Sequence, residues 1–174
     1  MYGGELRRPQ PQERAGLMST AYEELVELLD ERGIGYSTSD GQTVRLDLRG
    51  QMAVYRITAG VEPETDVFQV VGRSPMLVPE GCRTAAAETI ARANYGLRLG
   101  KFELDFADGE VRFQVSQILV DDAVGQAVID RMIGITVNML ETYLPALLSV
   151  VYANESPKEA VGRVEAGWCA SGGD

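Results

Sequence analysis

The chain has no histidine among its 174 residues. That removes together the commonest general base, the commonest metal ligand and the usual physiological-pH switch. Cysteine is nearly as scarce. Cys82 and Cys169 stand far apart without C-x-x-C spacing, so neither a disulfide framework nor a zinc site is expected, and reduced thiols in a cytosol fit the composition. Lysine occurs only at Lys101 and Lys158, which leaves little room for Schiff-base chemistry. Serines such as Ser74 and Ser116 have no histidine partner and no G-x-S-x-G elbow. Gly-rich phosphate loops are missing too, because the stretch from Gly96 to Gly100 leads into a strand pattern rather than a helix. Met1 to Gly16 lacks the apolar run of a secretory signal; with Gly3, Gly4, Pro9 and Pro11 among charges, residues 1–16 read as a flexible lead-in. No basic run exceeds Arg7-Arg8 in a chain of net charge −10, which argues against general nucleic-acid binding.

What is present is a good supply of core. Apolar residues make up 45% of a length suited to one domain, and residues 17–153 read as that domain, with 154–174 as a short helix and tail. A capping box at Thr20 to Glu23 opens a first helix with Ala21, Tyr22, Leu25, Leu28 and Leu29 on one stripe. Its acidic face of Glu23, Glu24, Glu27, Asp30 and Glu31 reads as a solvated surface, and Gly33 ends it. The period then becomes alternating. Tyr36–Ser39, an Asp40-Gly41 turn, Val44 to Leu48, Met52–Ala59 and Val67–Gly72 form an antiparallel meander with one polar face.

Pro75 and Pro79 bracket the start of a second helix that Gly96 caps. The core face of this helix is small, so something can approach it closely. Ala86, Ile90, Ala93 and Tyr95 are the candidate contact surface for a partner or a second copy of the chain. A hairpin follows, with Phe102, Leu104 and Phe106 pointing inward, an Asp108-Gly109 turn, and Val111, Phe113 and Val115 returning.

The last long helix runs from about Ala123 to Tyr152 behind an Asp121 or Asp122 cap. One apolar stripe holds Val124, Val128, Met132, Ile135, Met139, Tyr143, Ala146 and Val150; a second holds Ile129, Ile133, Leu140, Leu144, Leu147 and Val151. Together they span roughly 200°, about twice what a helix lying on one sheet requires. Either the domain buries this helix on two sides, or a second chain covers half of it. Met132 to Tyr152 carries a single charge, Glu141, near its middle. A central carboxylate costs about 3 kcal/mol in a bilayer, and no basic cluster flanks it, so a membrane span is not expected. A second capping box, Ser156 to Glu159 with Pro157 at the first helical position, opens a short helix to about Ala166. Gly167 and a tail follow, in which the single tryptophan, Trp168, is expected to dock back onto the domain.

Two constellations invite chemistry. Asp105, Asp108 and Glu110, with Asp121-Asp122 nearby, could hold a hard cation, but the spacing is not that of an EF-hand and Asp108 already serves a turn. Tyr36, Tyr55, Tyr95 and Tyr143 could line a metabolite pocket between sheet and helices, although aromatics at such positions ordinarily pack a core.

The segments ANYGLRLGKFELDF, from Ala93 to Phe106, and DGEVRF, from Asp108 to Phe113, resemble the YbjN family. Supporting features are Gly33 to Tyr36, Val78-Pro79-Glu80 and Tyr143 to Leu148, so the resemblance covers about Thr20 to Glu165. It implies an α+β fold like that of type III secretion chaperones, an antiparallel sheet (meander plus hairpin) packed against helices. Family members are described as bacterial sensory transduction regulators, without catalytic residues or cofactors to carry over. The expectation is therefore a cytoplasmic, non-enzymatic protein-binding module, a regulator or chaperone-like adaptor that forms a homodimer and binds no metal, nucleic acid or membrane. A small-molecule sensor is the alternative.

Overall fold

The computed structural model describes residues 19–38, 40–62 and 64–171, with side chains as far as residue 167. The lead-in at 1–16, Ser39 and the side chains of Trp168 and Cys169 therefore lie outside the described residues. Ten elements follow in order: α1 (Thr20–Glu31), β1 (Ser37–Thr38), β2 (Thr43–Arg49), β3 (Val54–Glu62), β4 (Val67–Leu77), α2 (Arg83–Gly96), β5 (Lys101–Leu104), β6 (Glu110–Ile118), α3 (Gln126–Tyr152) and α4 (Pro157–Ser171). The strands form one antiparallel sheet in the order β1-β2-β3-β4-β6-β5. Thus β1 to β4 make the expected meander. The chain then crosses through α2 and returns as the β5–β6 hairpin, with β6 beside β4.

The alternation read from sequence sets which face is buried. Val44 and Leu46 of β2, Tyr55, Ile57 and Ala59 of β3, Phe68 and Val70 of β4, and Val111, Phe113 and Val115 of β6 all point to the helical side. All five apolar residues assigned to the α1 stripe are buried with them. Phe102 stacks edge-on against both Phe113 and Tyr143, at centroid distances of 4.8 and 5.4 Å, and so joins the hairpin to α3. Burial, with the Glu165 carboxylate next to it, pushes the Tyr143 phenol above its ordinary pKa. Its hydroxyl donates to Glu165 Oε1 at 3.1 Å, tying α3 to α4.

Several boundaries differ from expectation for local reasons. The cap of α1 is Ser19, whose Oγ accepts from the Tyr22 amide at 3.2 Å; Thr20 is already helical. Neither Asp121 nor Asp122 caps α3. Instead Glu24 of α1 accepts from the amides of Val124 and Gly125 at 3.0 and 2.8 Å. Asp122 returns the arrangement by accepting from the Thr20 amide at 3.1 Å. The start of α1 and the segment leading into α3 are therefore tied to each other, and the acidic face of α1 is not merely solvated. Pro75 lies inside β4, where the register with β6 shifts between Arg73 and Leu77, rather than at the head of a helix. Gly96 is the last helical residue of α2 and not its left-handed cap. The turn is held by Asn94, whose side chain accepts from the Phe102 amide at 2.7 Å and donates to the Phe102 carbonyl at 3.0 Å. Phe106, expected in the core, is 57% exposed, because β5 ends at Leu104. The final helix continues through Gly167 to Ser171, while its opening matches the capping box, with Ser156 Oγ accepting from the Glu159 amide at 3.3 Å.

Two glycines set how close α3 comes to the sheet. A Cβ at Gly72 would stand 2.6 Å from Leu140 Cδ1 and 2.6 Å from Thr136 Cγ2, so α3 crosses β4 at the one position without a side chain. At Gly50, in the β2–β3 turn, a Cβ would meet the Glu141 carboxylate and the Tyr55 ring. Glu141 uses that opening. Its carboxylate accepts from the Gln51 amide at 3.0 Å and the Met52 amide at 3.1 Å. Partial burial pulls the Glu141 carboxyl upward, but the Tyr55 hydroxyl and the Met52, Gln51 and Ala53 amides outweigh it and hold its pKa below the ordinary value. Tyr55 shifts the opposite way, raised by burial and by the Glu141 charge, and its buried hydroxyl lacks a well-aligned partner.

The charge noticed in the middle of α3 is therefore the clamp on a sheet turn. By length and composition α3 is the one helix among the described residues able to cross a membrane, yet 44% of its apolar window is buried inside the domain.

Glu141→Gln is expected to cost about 1–2 kcal/mol in a denaturant titration at neutral pH. Because the folded pKa is lowered, the contribution of Glu141 is fully present above its ordinary value of 4.5 and fades as pH falls through the folded value. The difference between the two proteins should accordingly shrink in acid. Gly72→Val should cost about 1–3 kcal/mol through overpacking against α3, read as a lowered Tm.

A candidate protein-binding groove

The wide apolar arc of α3 is covered unevenly. Its C-terminal half is enclosed: Met139, Tyr143, Ala146 and Val150 are buried, and Ala146 and Val150 pack with Ala160 of α4 and Ala85 of α2. Ile129, Ile133, Leu140, Leu144 and Leu147 of the second stripe are buried as well. The N-terminal half of the first stripe is enclosed only in part: Met132 is buried, but its neighbours on the stripe are not. Val128 is 42% exposed, and Ile135, one of the residues packed on the edge of the core, is half-buried.

Beside these residues a groove of 920 Å³ runs between α3 and the end of β6, and includes Leu99, Val115, Val128, Met132 and Ile135. Arg32 and Asp130 pair across 2.7 Å at its rim, with Arg131, Gln117 and Asn138 adding polar groups. A second depression of 510 Å³, lined by Leu97, Leu99, Ile135 and Met139, shares residues with it and prolongs it toward the α2–β5 turn.

The strand beside the groove is an edge. β5 pairs with β6 only as far as Lys101 opposite Gln114, whereas β6 continues to Ile118 along β4. Among the described residues, Val115 to Ile118 thus have a strand on one side and none on the other. An open strand edge next to an exposed apolar helix face offers main-chain and side-chain contacts to the same segment. Ile118 and Leu99 are 70% and 59% exposed.

The contact residues expected on α2 do not form this site. Ala86, Ile90 and Ala93 are buried in the chain's own core, so they are corrected from a surface to packing residues. Tyr95 is 96% exposed and borders a different hollow, of 570 Å³, between α2 and α4. The small face that invited close approach receives other helices of the same domain.

Nor do the tyrosines converge. Tyr55 and Tyr143 are buried core residues, Tyr36 lies beside the β1–β2 edge, and Tyr95 projects outward. The acidic set is likewise occupied. Asp105 and Asp108 accept from the amides of Ala107 and Glu110 in the hairpin turn, and Glu110 pairs with Arg73 at 2.9 Å. Among the described residues no group of three or more His, Cys, Asp or Glu is arranged to hold a metal ion.

The groove was only half visible in sequence. Val128 and Ile135 belong to the apolar arc that was in excess of one sheet. Leu99 and the open end of β6 carry no pattern of their own, because their exposure depends on where β5 begins.

The fold and groove define an α+β domain with a meander, a hairpin and a long central helix partly open to solvent. The chain belongs to the YbjN family, described as "Putative bacterial sensory transduction regulator", whose model matches residues 21–149. Among solved structures, YbjN from E. coli is similar, at 15% identity over 68% of this chain and 86% of that one, with a TM-score of 0.53. That likeness establishes the fold. The ExsC–ExsE complex is similar at 14% identity, covering 70% of this chain and 89% of that one with a TM-score of 0.49. The HopA1–SchA chaperone–effector complex follows at 10% identity, 69% and 91% coverage and a TM-score of 0.44. No curated protein matches the chain.

Because Val128 faces the open groove and supports no core contact from a buried position, Val128→Ser should leave stability within about 0.5 kcal/mol. The buried counterpart Met139→Ser should cost several times more in the same thermal melt.

Proposed function

We propose that this chain is a non-enzymatic protein-binding module, a regulator or chaperone-like adaptor, and that its groove along α3 receives an apolar segment of a protein partner. The observation that carries the reading is the uneven covering of α3. The C-terminal half of its apolar arc is sealed by α2 and α4, whereas nearer the N-terminus a strip at Val128 and Ile135 stays open beside a strand end that has no strand partner among the described residues. Exposed apolar surface of this kind is a standing cost to a soluble domain unless it is used. An extended segment fits both features, laying main-chain groups along Val115 to Ile118 and apolar side chains against Leu99, Val128 and Ile135. The polar rim of Arg32, Asp130 and Arg131 would fix its register.

Ile135→Asp tests this. Tagged wild-type protein, recovered from a lysate of its source cells and read by mass spectrometry, should bring down one recurrent protein in near-equal amount. Ile135→Asp, checked for an unchanged fold, should lose it. Equal recovery by both forms removes the groove from the reading. If only the chain itself is recovered, and light scattering gives a dimer that Ile135→Asp dissociates, the groove seats a second copy.

A further inference from the structure

The outward face of the sheet, remote from the groove, carries a second recognition pattern. Strand register sets Asp47, Arg56, Arg73, Arg112 and Glu103 directly opposite one another on five consecutive strands, β2, β3, β4, β6 and β5. Three arginines thus occupy neighbouring cross-strand positions, an arrangement that costs stability through like-charge repulsion. Carboxylates hold each one locally: Asp47 lies 3.8 Å from Arg56, Glu110 2.9 Å from Arg73 and Glu103 2.6 Å from Arg112.

All three contacts are made through Nε, the inner nitrogen. Of the terminal nitrogens, that of Arg73 also donates to Thr58 Oγ1 at 3.1 Å. Most of the terminal N–H donors of the row exceed what these local bonds use, and a planar fork of donors suits a carboxylate.

Charge is segregated around this row. Arg45, Arg49 and Lys101 project from the same face, so six of the chain's 16 Lys and Arg lie at outward strand positions. Only four of its 26 Asp and Glu do, namely Asp47, Glu62, Glu103 and Glu110. A molecule of net charge −10 therefore presents one face with a basic excess. The geometry points to this face as a docking surface for an acidic protein segment.

The row spans four interstrand steps, roughly 19 Å, which an extended segment of about six residues covers. Nucleic acid fits less well. Its phosphates would run past so short a row onto the acidic remainder of the molecule, and Asp47 and Glu103 close the row at both ends.

Fluorescence anisotropy with a labelled oligoglutamate peptide tests the assignment on the full chain. Wild type should bind it, with affinity falling steeply as salt rises. Arg56→Gln/Arg112→Gln should weaken binding at least tenfold. Arg45→Gln/Arg49→Gln, outside the central row and without an ion pair to break, should weaken it less and serves as the variant least disturbing to the fold. The surface is disproved if wild type does not bind the peptide, if the central double variant binds it equally, or if an oligonucleotide of equal charge binds more tightly. Ile135→Asp should bind the peptide as wild type does, which separates this surface from the groove.

Discussion

The rest of this structure depends on the width of the apolar surface of α3. A sheet covers one side of a helix, and the apolar residues of α3 occupy roughly twice that arc. The remaining apolar strip must find other partners within the fold or stay in water. Here α2 and α4 enclose the C-terminal half, around Ala146 and Val150, and α1 is fastened to the segment before α3 by hydrogen bonds in both directions. No described element covers the strip between those two attachments, and the groove lies there. The position of the site follows from the place where intramolecular covering stops.

Close approach is what makes the enclosed part stable. Gly72 removes the side chain at the crossing of α3 and β4, and Gly50 removes it where Glu141 meets the β2–β3 turn. Glu141 would be an unfavourable charge in an apolar helix. It is retained because two turn amides lie where its carboxylate needs them. One side chain thereby orients a helix against a hairpin to which no local rule links it, since the contact joins positions 90 residues apart. A sequence reading finds that carboxylate as an anomaly in an apolar run; the turn that explains it is visible only in three dimensions.

The same division runs through the whole comparison. Local periodicity made the meander, the β5–β6 hairpin, the α1 stripe and both stripes of α3 legible, because each depends on neighbours two to four residues away. The entry to α3 was misread because its partner is distant: neither Asp121 nor Asp122 caps the helix, and Glu24 holds the two amides just ahead of it. Small residues on α2 were legible as a site of close approach. That the approaching element is the chain's own helix was not, since an alanine face has the same pattern whether it meets α4 or another molecule. Phe106 failed similarly, for alternation alone does not say at which residue an edge strand stops pairing.

Register also creates what composition conceals. The arginines at 56, 73 and 112 lie in three separate segments, none of them basic enough to suggest a charged patch. Antiparallel pairing places them side by side, and an acidic chain acquires a face of the opposite sign. Net charge is therefore a poor guide to the partners of a sheet protein, because alternate residues are sorted onto opposite faces before any of them meets solvent. In this fold the sorting leaves two surfaces of unlike chemistry, an apolar groove on the helical side and an arginine row on the outer side. A segment with an apolar stretch and an acidic stretch could engage both only by passing around the sheet edge, and β1, two residues long, and β5, four, are the strands that bound that path.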